Sequence, residues 1–123
     1  MAGKLVHFEV PANDTSRALG FYGQLFGWSF QDMPGPVEYH MTQVSDDMGG
    51  AIHRADQGGG IPGIFVYFDV DDINAGSQKV RDLGGKAEEA TPVPQMGWYA
   101  RCEDTEGNPF GILQNDPAAS APE

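Results

Sequence analysis

The segment "VHFEV" at residues 6–10 sets an imidazole and a carboxylate two positions apart, at His7 and Glu9. At 66–70, "VYFDV" repeats the pattern with the histidine gone. Alternate residues of a strand share a face, so His7 and Glu9 stand side by side. A histidine titrates near pH 6.5, which suits it to accept a proton or to hydrogen-bond a ligand. The structural alternative is that His7 bonds only Glu9 or a neighbouring strand. His7 and Glu9 are thus the catalytic candidates. Glu38 and His40 share a face in "VEYHM", and His53 follows in "GGAIHR". The aromatic residues Tyr39, Phe65, Tyr67, Trp98 and Tyr99 offer walls for a flat or apolar molecule. "GGG" at 58–60 lacks the Lys-Ser/Thr that a phosphate loop needs and reads as a hinge. No Ser/His/Asp or Cys/His signature stands out.

Positioning these side chains takes elements that the sequence writes twice. A shift of 58 lays Phe8 on Val66, Val10 on Phe68, Asp14 on Asp72, Leu25 on Leu83 and Gly27 on Gly85. Each half reads as a strand, an Asp at a helix N-cap, a helix and a Gly stop. The spacing predicts helices over 15–26 and 73–83, the first with an apolar stripe of Ala18, Leu19, Tyr22, Leu25 and Phe26. Short strands follow near 28–32, 37–44 and 50–54, and near 86–93, 97–103 and 109–114. The expectation is an α+β fold of two βαβββ modules in tandem, forming curved mixed sheets around a pocket. Module one covers about 4–54, the linker 55–63, module two about 64–115 and a loose tail 116–123, all in one domain over 1–123. Phe8 and Val10 should face the helices. Parity then sends His7, Glu9, Phe65, Tyr67 and Asp69 to the other face, and the ligand-binding set is expected to be His7, Glu9, Phe65, Tyr67, Trp98 and Tyr99.

The run from Asp14 to Trp28, with "DTEGNPFGILQ" near the end of the chain, resembles the vicinal oxygen chelate superfamily. That group includes glyoxalase I, extradiol dioxygenases, fosfomycin-resistance enzymes and bleomycin-binding proteins. In its metal-dependent members the resemblance implies four ligands. They are a His on the first strand of each module, a residue late in module one and a Glu on the last strand. His7 stands at the first position. Phe65 and Gly111 stand at two others, and Gly50 is the best match for the late module-one position, with His53 the ligand-capable residue nearby. Phenylalanine and glycine side chains cannot hold an ion, and catalytic metal sites keep about three protein ligands. No metal or other cofactor is therefore expected. The alternative is a divalent ion on a nonstandard set drawn from His7, His53, Glu38 and His40.

The chain carries a formal charge of −11 over 123 residues, which argues against nucleic acid and anionic membrane as partners. It suits a cationic or aromatic small organic ligand, with Glu9 and Asp69 as natural partners of a cation. No apolar run reaches the roughly 20 residues of a membrane helix, and the N-terminus lacks the pattern of a signal peptide. The single cysteine, Cys102, excludes an internal disulfide and fits a reducing cytoplasm. The expected function is small-molecule binding of the glyoxalase/bleomycin-resistance type without the usual metal site. The alternative is a metal-dependent lyase or isomerase. A homodimer is expected, since no further element covers an exposed sheet edge.

Overall fold

The computed structural model describes residues 3–35, 37–57, 63–94 and 96–119. The expected hinge at 58–60 and the last four residues of the tail lie outside them. The chain divides into two compact units. One is His7–Phe65; the other joins the chain up to Val6 to the chain from Val66 onward. Both mix one α-helix with a mixed β-sheet, so the fold is α+β.

The His7–Phe65 unit holds most of β1 (Leu5–Ala12), then α1 (Thr15–Phe26), β2 (Gln31–Asp32), β3 (Tyr39–Ser45) and β4 (Met48–Arg54). Its sheet order is β2-β3-β4-β1, with β1 parallel to β4 and the other pairs antiparallel. Asp14 starts α1 by accepting a hydrogen bond from the Arg17 amide at 3.0 Å. Gly27 ends it at φ +75°, a left-handed conformation that a glycine adopts without strain. On the helix side, the Phe8 ring lies over Gly50, so closely that a Cβ at Gly50 would overlap it. Trp28 packs beside Phe8 at 5.6 Å, and Tyr22 stacks on Trp28 at 5.6 Å. Of the expected α1 stripe, Ala18, Leu19 and Tyr22 are half-buried, but Leu25 and Phe26 are exposed.

The second unit contains β5 (Phe65–Asp69) from Val66 on, α2 (Ile73–Asp82), β6 (Lys86–Ala87), β7 (Thr91–Val93), β8 (Gly97–Glu103) and β9 (Pro109–Asn115). Its sheet runs β5-β9-β8-β6, and β7 also pairs with β8. The strand expected over 86–93 is broken in two. The Glu88 amide still donates to Arg101 O at 2.9 Å, but Pro92 and Pro94 bring no N–H to the ladder. Asp72 caps α2 by accepting from the amides of Asn74 and Ala75 at 2.9 Å, as the 58-residue shift requires. The helix then stops one residue early, with Gly84 rather than Gly85 at positive φ. The core is Ile73, Ala100, Cys102 and Ile112, with Val70, Val80, Trp98 and Phe110 packed against it. Burial there pushes the Cys102 thiol up to about 11, so it is an inert core residue. The start of the chain belongs to this unit: the Gly3 amide donates to Asp69 O at 2.8 Å, and the Asp69 amide to Lys4 O at 2.7 Å.

The tail is not loose where it is described. The Asp116 amide donates to Met96 O at 3.0 Å, and Ala119 is buried. Among the described residues, no helix is long and apolar enough to cross a membrane.

Candidate functional site

In the first unit, β1 pairs with β4 so that His7 lies opposite Gly49, Glu9 opposite Ala51 and Pro11 opposite His53. Strand β4 pairs in turn with β3, setting Gly49 against Gln43, Ala51 against Met41 and His53 against Tyr39. These residues form one face, turned away from the packing of Phe8 with Gly50. Because β4 lies between β1 and β3, Tyr39 must reach across β4 to touch β1. The small residues of β4 on this face, Gly49 and Ala51, leave room for that reach. The Tyr39 hydroxyl lies 2.7 Å from His7 Nε2 and donates to Glu9 Oε2 at 2.8 Å. The two rings are nearly parallel, at 19° with centroids 6.4 Å apart. Burial pulls the His7 pKa below its ordinary value, and the Glu9 charge opposes this. The ring is therefore held neutral near neutral pH, able to accept a proton or to hydrogen-bond a ligand.

His40 and Glu38 do not join this group. His40 pairs with Ile52 and Asp32, one residue out of phase with Tyr39, and so lies on the opposite face. There, His40 Nε2 meets Glu38 Oε2 at 2.8 Å and Nδ1 meets Asp32 Oδ1 at 2.6 Å, while the Thr15 hydroxyl donates to Glu38. The bond to Glu38, with Asp32 second, raises the His40 pKa; the bond from Thr15 holds the Glu38 carboxyl below its usual range. This cluster ties the first residue of α1 to β2 and β3. The nonstandard metal set of His7, His53, Glu38 and His40 is thus split between two sheet faces.

In the second unit, Tyr67 lies opposite Gly111 and Asp69 opposite Leu113, with Tyr99 and Arg101 on the same face. Tyr67 and Tyr99 meet edge to face at 6.2 Å. Phe65, at the start of β5, is buried on that strand's Tyr67 face. Trp98 is a correction. It neighbours Tyr99 on β8, so it must point the other way, and it packs against the core beneath α2. Its indole N–H donates to Asp116 at 3.3 Å. Trp98 also borders a cleft of about 720 Å³ along α2 with Asp72, Arg81 and Gln114. Three polar groups of that cleft serve the fold. Asp72 caps α2, Gln114 accepts from the Ile73 amide at 2.7 Å and Arg81 donates to Ala87 O at 3.0 Å.

The donor set does not fit the metal of the family pattern. His7 Nε2 is engaged with Tyr39, Phe65 and Gly111 bring no donor, and Gly50 lies under Phe8 on the helix side. The residue opposite His7 is Gly49, which brings none either. Tyr39 was named from the sequence only as a wall residue. Its role as the hub of the polar chain was hidden because β3 reaches β1 only over β4, a pairing that no local pattern encodes.

Residues 4–112 match the model of the Glyoxalase/Bleomycin resistance protein/Dioxygenase superfamily. The chain is 31% identical over 121 residues to a glyoxylase-like domain-containing protein of Didymella fabae, covering 89% of this chain and 92% of that one. It is 28% identical to a putative glyoxylase of Mycobacterium bovis, spanning 94% of this chain but only 45% of the relative. Among solved structures, a methylmalonyl-CoA epimerase in complex with methylmalonyl-CoA and NH4+ superposes with a TM-score of 0.76 at 14% identity, covering 98% of this chain and 99% of that one. The epimerase of Mycobacterium tuberculosis gives 0.73 at 16% identity, covering 93% and 89%. The chain belongs to the glyoxalase/bleomycin resistance protein/dioxygenase superfamily.

Proposed function

We propose that this chain binds a small organic molecule on the His7–Tyr39–Glu9 face, without an ion held by the family's usual ligand set. The observation that carries this is the hydrogen-bonded chain of imidazole, phenol and carboxylate on the sheet face away from the Phe8 packing. Convergent polar groups of this kind, with small and apolar residues such as Gly49, Ala51 and Met41 between them, are what orients a small ligand. A structural relative in complex with methylmalonyl-CoA supports a small organic ligand as such, while the charge of −11 favours a cationic ligand over an anion of that kind. A second reading, a lyase or isomerase, is favoured by an imidazole and a carboxylate bridged by one phenol on this face, groups of the kind that move protons. We further propose that the chain acts as a homodimer in a reducing cytoplasm. The test of the binding reading is titration of chelator-treated protein with small organic molecules, followed at the His7 ring by NMR. Saturable shifts without added metal are expected; a response only after metal is added overturns the reading.

A further inference from the structure

The cleft along α2 lies on the helix side of its own sheet, since Trp98 points away from the face of its neighbour Tyr99. Ile73, Ser77 and Arg81 recur at intervals of four on α2, so they stand in one row along the wall. Trp98 and Gln114, paired across β8 and β9, line the cleft from the sheet. A bulge supplies the remaining side. Ala87 stands opposite Cys102 and Thr91 opposite Tyr99, so the three residues 88–90 face only the two residues 100 and 101. Such a bulge re-aims side chains, and Glu89 and Ala90 line the cleft from it. The volume of about 720 Å³ falls within the roughly 300–1,000 Å³ of small-molecule pockets.

The wall contains a polar group that the fold does not use. Ser77 is only 5% exposed, and its hydroxyl oxygen has no hydrogen-bond partner among the described residues. A buried hydroxyl without a partner is costly, and it can serve a donor or an acceptor because its hydrogen rotates. Around it, Ile73, Ala90 and Trp98 pack on the core and offer apolar surface. Two carboxylates, Asp72 and Glu89, line the cleft against one guanidinium, Arg81, so negative charge is in excess and a cation is favoured. Asp72 is taken up as a helix cap, whereas Glu89 is exposed at the rim. We propose that this cleft is a binding site in its own right, for a primary ammonium group carried on a flat apolar body. The body lies against Trp98, the ammonium pairs with Glu89, and one N–H goes to the Ser77 hydroxyl. The site stands independently of any ligand on the His7 face.

NMR of the Trp98 indole N–H tests this, with phenethylamine, 2-phenylethanol and 3-phenylpropionate as probes. Phenethylamine, an ammonium ion at neutral pH, should give saturable shifts at Trp98, and the other two much weaker ones. Glu89→Gln should weaken its binding roughly two- to fivefold, as loss of an exposed ion pair does. Ser77→Ala should weaken it about tenfold, as loss of a hydrogen bond to a charged group does. The urea midpoint of Ser77→Ala should hold or rise, because the hydroxyl removed has no partner in the protein. A lowered midpoint, or failure to fold, makes Ser77 a structural residue and overturns its role in binding; Glu89→Gln, altered at an exposed position, still decides the cation. The site is overturned by no response at Trp98 to any probe, by phenylpropionate or phenylethanol binding as well as the amine, or by unchanged affinity in both variants.

Discussion

At the scale of single residues, two adjacent glycines on β4 do different work. Gly49 opens space beside His7, while Gly50 receives the Phe8 ring. Gly50→Ala forces that ring and its neighbour Trp28 to move, and overpacking of this kind costs roughly 1–3 kcal/mol. A Cβ at Gly49 meets only side-chain atoms, the nearest being His7 Nδ1 at 3.2 Å, so the effect of Gly49→Ala on stability should be smaller. Urea midpoints of the two variants check this order; equal midpoints would contradict it. Parity made much of this legible. Phe8 and Val10 turn toward the helix side and His7 and Glu9 away from it, as read from "VHFEV". The same rule was misapplied at Trp98 and Tyr99, which as neighbours on one strand cannot share a face. Tyr39 was beyond local reading because its partners lie two strands away.

At the scale of elements, the helices were legible because their signals are local. Asp14 and Asp72 supply the caps and a glycine closes each end. The broken β6 and β7 were not, since "PVP" reads as punctuation without saying where the ladder stops. The tie between α1 and its sheet was also hidden: Glu38 and His40 were read as sharing a face, and only the alternative ligand set put them with His7. That tie carries a pH signature. The folded pKa of His40 is raised above 6.5, so its contribution to stability is fully present below 6.5 and is lost as pH rises through the folded value. The folded pKa of Glu38 is lowered from 4.5, so its contribution is present above 4.5 and is lost as pH falls through the folded value. Both act together between those two unfolded values. The stability difference between wild type and His40→Gln should therefore be largest in that window and shrink at higher pH. His7 has a lowered pKa and works in the opposite sense, but it is common to both proteins and cancels. Urea denaturation across the pH range measures the difference. A gap that grows above pH 6.5 would contradict the assignment.

At the scale of the molecule, α1 leaves Phe21, Leu25 and Phe26 more than half exposed, at 60%, 57% and 56%. Large apolar side chains clustered on one helix are a costly surface for a monomer, which supports the proposed homodimer. Phe21→Asp with Phe26→Asp should shift the sedimenting species from dimer to monomer without unfolding it; a wild-type monomer at micromolar concentration would contradict the proposal. The central claim is that the face of His7, Tyr39 and Glu9 binds a small organic molecule without a metal. The most direct measurement titrates chelator-treated wild type and His7→Ala with the same set of small amines and thioesters, read by NMR. The account predicts saturable shifts around Tyr39 and Glu9 in the wild type that are absent in His7→Ala. It is contradicted if the wild type stays silent until Zn2+, Ni2+ or Mn2+ is added and then responds with one ion bound per chain.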